Sequence, residues 1–390
     1  MKKILSVMFL MFFLTFKHVK INAVDPTTIQ TMGTIITVNL YDEGTEEHYN
    51  KVKEIYEYYD YLGSNTLREN ELYNHLNNVY NINLHRGEVL IVNDDLFNMI
   101  SFSLTMMDET NGYFNPLIGE AVDIWKSVIE EYNFKTITKE VYDNVISRLN
   151  DIPKITREDI ILDNNAKTVK LLGHAKLDLG ALAKGYATEK VVEYLKSKNI
   201  KTYNINAGSS SLAYGTHPDK RPFNTGLNDP YGLYKSDYGI YGILKVENQH
   251  VVTSGDYLQY VKYEDKILHH ILDPHDYMPK NYYHTITLIG DDGGLLDAYS
   301  TAVFNMNEEE AITFLESKHI KYSFYKKDGV KHNLNESEFQ LMALNKKTTS
   351  FNPIMVLIFI LVGIVIIFGS IITIMIIKER KGRHEQKTTN

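Results

Sequence analysis

The stretch Leu177–Lys196, LDLGALAKGYATEKVVEYLK, holds a change from one local structure to another. Leu177 reads as the end of a buried strand, and Asp178-Leu179-Gly180 as the turn after it. Beyond the turn, Ala183, Ala187, Val191 and Leu195 recur every four residues, the stripe of a helix with one buried face. Gly180 allows a tight turn, and Gly185 leaves the first helical turn without a side chain. The first N–H groups of a helix lack intrahelical acceptors, so such a start suits a phosphate, and Lys184 adds a positive charge for it. Read alone, the stretch fits equally an ordinary strand–loop–helix with a surface lysine, because glycine turns commonly precede helices.

Working outward, Met32–Tyr41 alternates as a strand through Ile36, Val38 and Leu40, after a short N-terminal segment at 24–30. Glu46–Tyr61 carries a helical apolar side at Val52, Ile55, Tyr56 and Tyr59, and Asp94–Thr110 another at Leu96, Met99, Ile100, Leu104 and Met107. Pro116 closes a break at Gly112–Pro116, in which Asn115 reads as a turn residue. Residues 134–159 are charged and helical, and Ile160–Leu172 reads as a hairpin around Asp163-Asn164-Asn165. On the other side, Lys201–Ile205, Phe223–Pro230, Tyr241–Val252 and Tyr283–Ile289 read as strands, and Gly293-Gly294 opens a helix. Strands and helices without regular alternation predict an α+β fold: one mixed catalytic domain over 24–325, with a polar tether at 326–352.

The apolar fraction of 44% suffices for a full core, and a net charge of −8 argues against a nucleic-acid partner. The sequence has no cysteine, which excludes disulfides, thiolate metal sites and a cysteine nucleophile. Lys2-Lys3, the apolar run Ile4–Phe16 and the small residue Ala23 have the order of a secretory signal, predicted over 1–23. Pro353–Ile377 carries no charge and is long enough to span a hydrocarbon core of about 30 Å. Lys378, Arg380, Lys381, Arg383 and Lys387 follow, so the tail 378–390 is expected in the cytoplasm, with the domain outside a single-pass anchor in the cell membrane.

Six short motifs stand in a fixed order around the central stretch. They are Met32-Gly33-Thr34, Gly112–Pro116, Asn206-Ala207-Gly208, Thr253–Tyr257, His270–Pro274 and Asp297–Phe304. Together with Asp178–Lys184 they resemble the ApbE family of FAD:protein FMN transferases from about Thr31 to about Leu315. The chain departs from that family's pattern at Asn115 and at Ser209-Ser210. The resemblance implies FAD as substrate, contacts to it from Met32, Gly33, Asp178, Lys184, Gly208, Thr253, Ser254, Gly255, Asp256 and His270, and a Mg2+ ion. Asp297 and Thr301 lie four apart on one helical face and offer the hard oxygen ligands that magnesium takes. The resemblance adds the carbonyl of Ala181. A solvated helix face fits the same pair when it is read alone.

Histidine is suited to taking a proton near neutral pH. The resemblance places a general base at His270, while the residues alone do not separate it from His269. The implied reaction is attack of a serine or threonine hydroxyl of an exported electron-transfer flavoprotein on the FMN phosphate, with release of AMP. His270 and Lys184 are the expected catalytic residues. A hydrolase giving FMN and AMP, and a surface flavin binder without catalysis, are the competing expectations.

Overall fold

The computed structural model describes residues 26–41, 44–208 and 210–344. The expected signal at 1–23 and the expected span and tail at 353–390 lie outside them; among the described residues no helix is long and apolar enough to cross a membrane.

The chain opens with strands β1 (Thr27–Thr31) and β2 (Thr34–Leu40), so the N-terminal segment is an edge strand rather than a lead-in. Met32 and Gly33 join them with φ of 52° and 68°, the left-handed pair that a two-residue hairpin requires. Five helices follow: α1 (Glu46–Gly63), α2 (Val79–Leu84), α3 (Asp94–Glu109), α4 (Gly119–Tyr132) and α5 (Lys139–Asn150). The expected apolar stripes of α1 and α3 are the buried ones, with Val52, Tyr56, Leu96, Ile100 and Leu104 inside. Strands β3 (Leu90–Ile91), β4 (Ile160–Asp163) and β5 (Thr168–Leu171) form a small sheet, β4 and β5 being the expected hairpin.

The central helix is α6 (Ala183–Ser197). Next come β6 (Tyr203–Ala207), β7 (Ser211–Tyr214), β8 (Phe223–Asn228), β9 (Ile240–Val246), β10 (His250–Gly255), β11 (Tyr260–Tyr263), β12 (Lys266–His269) and β13 (Thr285–Gly290). The described chain finishes with α7 (Gly293–Asn305), α8 (Glu308–Ser317), β14 (Lys321–Lys326), β15 (Gly329–His332) and β16 (Phe339–Leu341). An eight-stranded antiparallel sheet runs β1-β2-β6-β7-β10-β13-β14-β15, with α6 and α7 packed together against it. A smaller sheet, β16-β9-β8, carries its own aromatic core of Tyr234, Tyr241, Tyr325 and Phe339. The α+β expectation holds.

Two expectations fail. Leu177 is buried but in no strand: its N–H donates to Asn83 Oδ1 at 2.8 Å, and its carbonyl accepts from Asn83 Nδ2 at 2.9 Å. One side-chain amide thus satisfies the groups that a strand neighbour would. The tether does not begin at Lys326 either. The chain stays folded through β15 and β16 to Leu344, because Phe339 is buried in the second core and Lys321 pairs with Glu338 at 2.5 Å.

Candidate functional site

The sheet register puts the motifs at one end. Thr31↔Thr34, Ile36↔Ala207, Ala207↔Ser211, Val252↔Ser211 and Gly255↔Thr285 are successive pairs along that end. Met32-Gly33 forms the hairpin tip there, and Gly208 lies so close to Thr34 that a Cβ on it would come within 2.3 Å of Thr34 Oγ1. The Thr253 N–H donates to the Ser210 carbonyl at 2.8 Å, joining the β6–β7 turn to the end of β10.

Helices α6 and α7 bring the chemistry to this end. They cross at Gly185 and Gly293, where a Cβ on Gly185 would lie 2.1 Å from the Gly293 carbonyl oxygen. No side chain caps α6, and the Gly185 N–H donates instead to Asp297 Oδ2 at 2.8 Å. Asp297 is buried, and that burial raises its pKa above the usual carboxylate value, opposed by the Lys184 charge and the Gly185 N–H. Thr301 stands one turn further along α7, half-buried, on the same face. Ser300 and Ser254 share a hydrogen bond of 2.8 Å that fastens α7 to β10. Ala181 lies in the turn just before α6.

The adjacent histidines differ. His269 is fully buried and uses both ring nitrogens: Nδ1 accepts from the Ile271 N–H at 3.3 Å, which leaves Nε2–H to donate to the Lys280 carbonyl at 2.8 Å. His270 is exposed, with Nδ1 3.4 Å from the Gln259 carbonyl, and its Nε2 has no protein partner among the described residues. Enclosure of its ring by protein lowers its pKa, and the charge of Lys184 adds to this. Water at the exposed edge offsets part of that depression, and the direction leaves the imidazole neutral at pH 7. The Lys184 charge acts on both Asp297 and His270.

Other expected residues have partners of their own. The Asp178 carboxylate accepts from the Gly180 N–H and from Asn65 Nδ2, each at 2.7 Å, and burial raises its pKa. Thr253 Oγ1 bonds to Thr287 Oγ1 at 2.9 Å. Both Asp256 oxygens are engaged, Oδ1 by the Tyr231 hydroxyl and Oδ2 by His284 Nδ1, each at 2.9 Å. Asp256 is therefore a buried organiser rather than an open acceptor. Asn115 is the turn residue expected of it, its Oδ1 accepting from the Leu117 N–H at 2.9 Å. Asp273 holds the turn after it by accepting from the His275 N–H at 2.9 Å. His284 and Tyr231 carry no sequence signal that singles them out; the ladder bond from the Asp256 N–H to the His284 carbonyl, 3.1 Å, brings His284 in.

A divalent cation fits this chemistry. Among the described residues no cluster of three or more His, Cys, Asp or Glu could hold a metal, so a cation here would rest on Asp297, the Thr301 hydroxyl and the Ala181 carbonyl. Asp297 Oδ1 meets no protein donor among the described residues, and a buried carboxylate carrying that cost of desolvation is eased by a cation.

A model described as the ApbE family matches residues 32–324. The FAD:protein FMN transferase of Klebsiella pneumoniae (strain 342) is 28% identical over 230 residues, which cover 58% of this chain and 67% of that protein. That of Haemophilus influenzae is 23% identical over 300 residues, covering 75% and 83%. The crystal structure of the ApbE protein from Thermotoga maritima MSB8 matches with a TM-score of 0.65 at 21% identity, over 80% of this chain and 97% of that one; it shares the fold.

Proposed function

The chain belongs to the ApbE family, and on that premise we propose that it is an FAD:protein FMN transferase, moving FMN from FAD to a serine or threonine hydroxyl of a target protein and releasing AMP. The observation that carries this reading is the uncapped start of α6, where the Gly185 N–H beside Lys184 bonds to the buried Asp297 carboxylate.

In this mechanism the α6 start and Lys184 hold the pyrophosphate of FAD and offset the charge that builds on it. His270 Nε2 accepts the proton of the attacking hydroxyl while Nδ1–H stays on the Gln259 carbonyl, which fixes the tautomer. The new bond joins the acceptor oxygen to the FMN phosphorus, and the bond to the bridging oxygen breaks, so that oxygen leaves with AMP. Asp297, Thr301 and the Ala181 carbonyl would hold Mg2+. The ion would supply charge neutralisation at the phosphates. Met32, Gly33 and Gly208 would line the flavin.

We further propose that the domain acts outside the cell membrane, held by Pro353–Ile377, on exported electron-transfer flavoproteins. Full-length protein incubated with FAD, Mg2+ and exported acceptor candidates should release one AMP for each flavin fixed to acceptor. AMP without labelled acceptor would favour the hydrolase, and bound FAD with no AMP released would leave a passive binder. Protease added to intact cells should digest the domain; its protection would refute the outward topology.

A further inference from the structure

Past the end of β10, Asp256, Tyr231 and His284 form a cluster that the proposed mechanism does not use. Asp256 is 1% exposed, and both of its oxygens are taken, one by the Tyr231 hydroxyl and one by His284 Nδ1. A carboxylate on Nδ1 fixes the imidazole tautomer and aims the opposite nitrogen. That nitrogen, Nε2, has no protein partner among the described residues, and the His284 side chain keeps 20% of its surface open. The Tyr231 ring lies tilted on the imidazole, centroids 4.0 Å apart, so the ring cannot swing freely.

The cluster belongs to the site by position. Asp256 lies two residues beyond Ser254, which touches Ser300 on α7 one turn from Asp297, and its charge reaches His269. The sheet order then sorts the two halves of a dinucleotide. Met32-Gly33 lies at the tip of β1–β2, and β10 is three strands away from β2. At about 4.8 Å per strand the separation is roughly 14 Å. Lys184 stands on α6, which packs over the strands between, β6 and β7, and Asp297 on α7, which packs over β10 and β13. A dinucleotide with its flavin at Met32-Gly33 and its pyrophosphate at Lys184 directs its other half toward Asp256 and His284.

We propose that His284 is a further substrate-binding residue of this chain, contacting the adenylate half of FAD through Nε2, with Asp256 as the positioning residue that aims it. The assignment rests on the transferase reading and deepens it, since it gives the AMP half a subsite separate from the flavin subsite. Asp256 acts on the nucleotide through His284 and not by direct contact.

The test is calorimetry on the full-length protein with AMP and with FMN as separate probes. His284→Ala should weaken AMP by on the order of tenfold, about 1.4 kcal/mol, and leave FMN within about twofold. His284→Gln should recover part of the loss, because its amide still offers a hydrogen bond, and Asp256→Asn should behave as a weaker His284→Ala. A merely structural role would not divide AMP from FMN. Unchanged AMP affinity in His284→Ala, or equal weakening of both probes, overturns the assignment. If His284→Ala does not fold, His284→Gln decides by the same division between probes. Wild-type protein that binds FAD and AMP beside an indifferent His284 variant refutes this subsite alone. Wild-type protein that binds neither refutes the transferase reading and the subsite with it.

Discussion

Strand β10 has a carboxylate–histidine pair near each end, and the two pairs are built for different work. At its start, His250 Nε2 lies 2.9 Å from Glu189 Oε2, with the two side chains only 4% and 16% exposed. The same Glu189 oxygen accepts the Gly293 N–H at 3.1 Å, so the pair closes off the first turn of α7. Burial would raise the Glu189 pKa, but the hydrogen bond and charge of His250 outweigh it and bring it below the usual value. At the other end, Asp256 is more enclosed still, yet its histidine keeps 20% of its side chain open. The lesson is that a buried carboxylate beside histidine does not by itself mark a site. What separates the two is how open the histidine is, 4% of the side chain at His250 against 20% at His284, and the buried His269 and exposed His270 repeat that contrast in neighbouring residues.

If the sheet divides into a structural end and a chemical end, substitutions should divide the same way. The largest effect is expected at Asp297. Asp297→Asn keeps an acceptor for the Gly185 N–H but removes the charge, and AMP release should fall by about a thousandfold or more, roughly 4 kcal/mol. FAD binding by calorimetry should survive in part. Asp297 has a raised pKa in the folded state, so its ionisation works against folding at neutral pH and ceases to do so as pH falls through that value. The variant should therefore melt higher than wild type in metal-free buffer at pH 7. A lower melting point would show that the carboxylate is structural.

Next comes the other end of β10. Glu189→Ala strands His250 and the Gly293 N–H and should cost about 3 kcal/mol in denaturant unfolding, while turnover per folded molecule stays within about twofold. The depressed Glu189 pKa stabilises wild type above pH 4.5 and is lost as pH falls through the folded value, so the variant should lose less stability than wild type on acidification. Loss of turnover without loss of stability would erase the distinction between the two ends.

The neighbouring histidines give a smaller step. His270→Ala should slow transfer by about a hundredfold at nearly unchanged stability, whereas His269→Ala should chiefly destabilise. Because the His270 pKa is lowered from 6.5, its neutral form persists as pH drops through that value. The rate should stay level from pH 8 to about 6.5 and fall only below it, and a limb centred above 6.5 would exclude His270 as the base. The smallest effect is thermal: saturating Mg2+ should raise the wild-type melting point by a few degrees, about 1–3 kcal/mol, and leave Asp297→Asn unmoved.

Helices were legible in the sequence wherever one face is apolar at a period near 3.6, as in α1, α3 and α6. Leu177 misled because the partner of its backbone is a side chain 94 positions away, which no local pattern announces. Residues 329–341 read as a tether because β15 and β16 are short strands with polar, half-exposed faces; only Phe339 anchors β16 in the core. For the site, spacing alone placed Asp297 and Thr301 on one face and Lys184 at a helix start. The bond from the Gly185 N–H to Asp297 spans 112 positions and could be seen only in three dimensions, as could the open nitrogens of His270 and His284. Asp256 shows the limit: its residue type suited a ligand, and its surroundings had already taken both oxygens.

The crossing of α6 and α7 at Gly185 and Gly293 bears on how this protein can change. Backbone meets backbone there, with no room for even one methyl group on Gly185. The spacing between the Gly185 amide and Asp297 is therefore set by main chain, like a ruler with no adjustable part. Exchanges among core residues such as Val191, Leu195 or Val303 can drift over generations, and the neighbours that yield to them need not move that amide or that carboxylate. The same rigidity leaves no gradual route away from the two glycines: a side chain at the crossing pushes the helices apart in one step, so lineages are free to vary around it and are barred from passing through it.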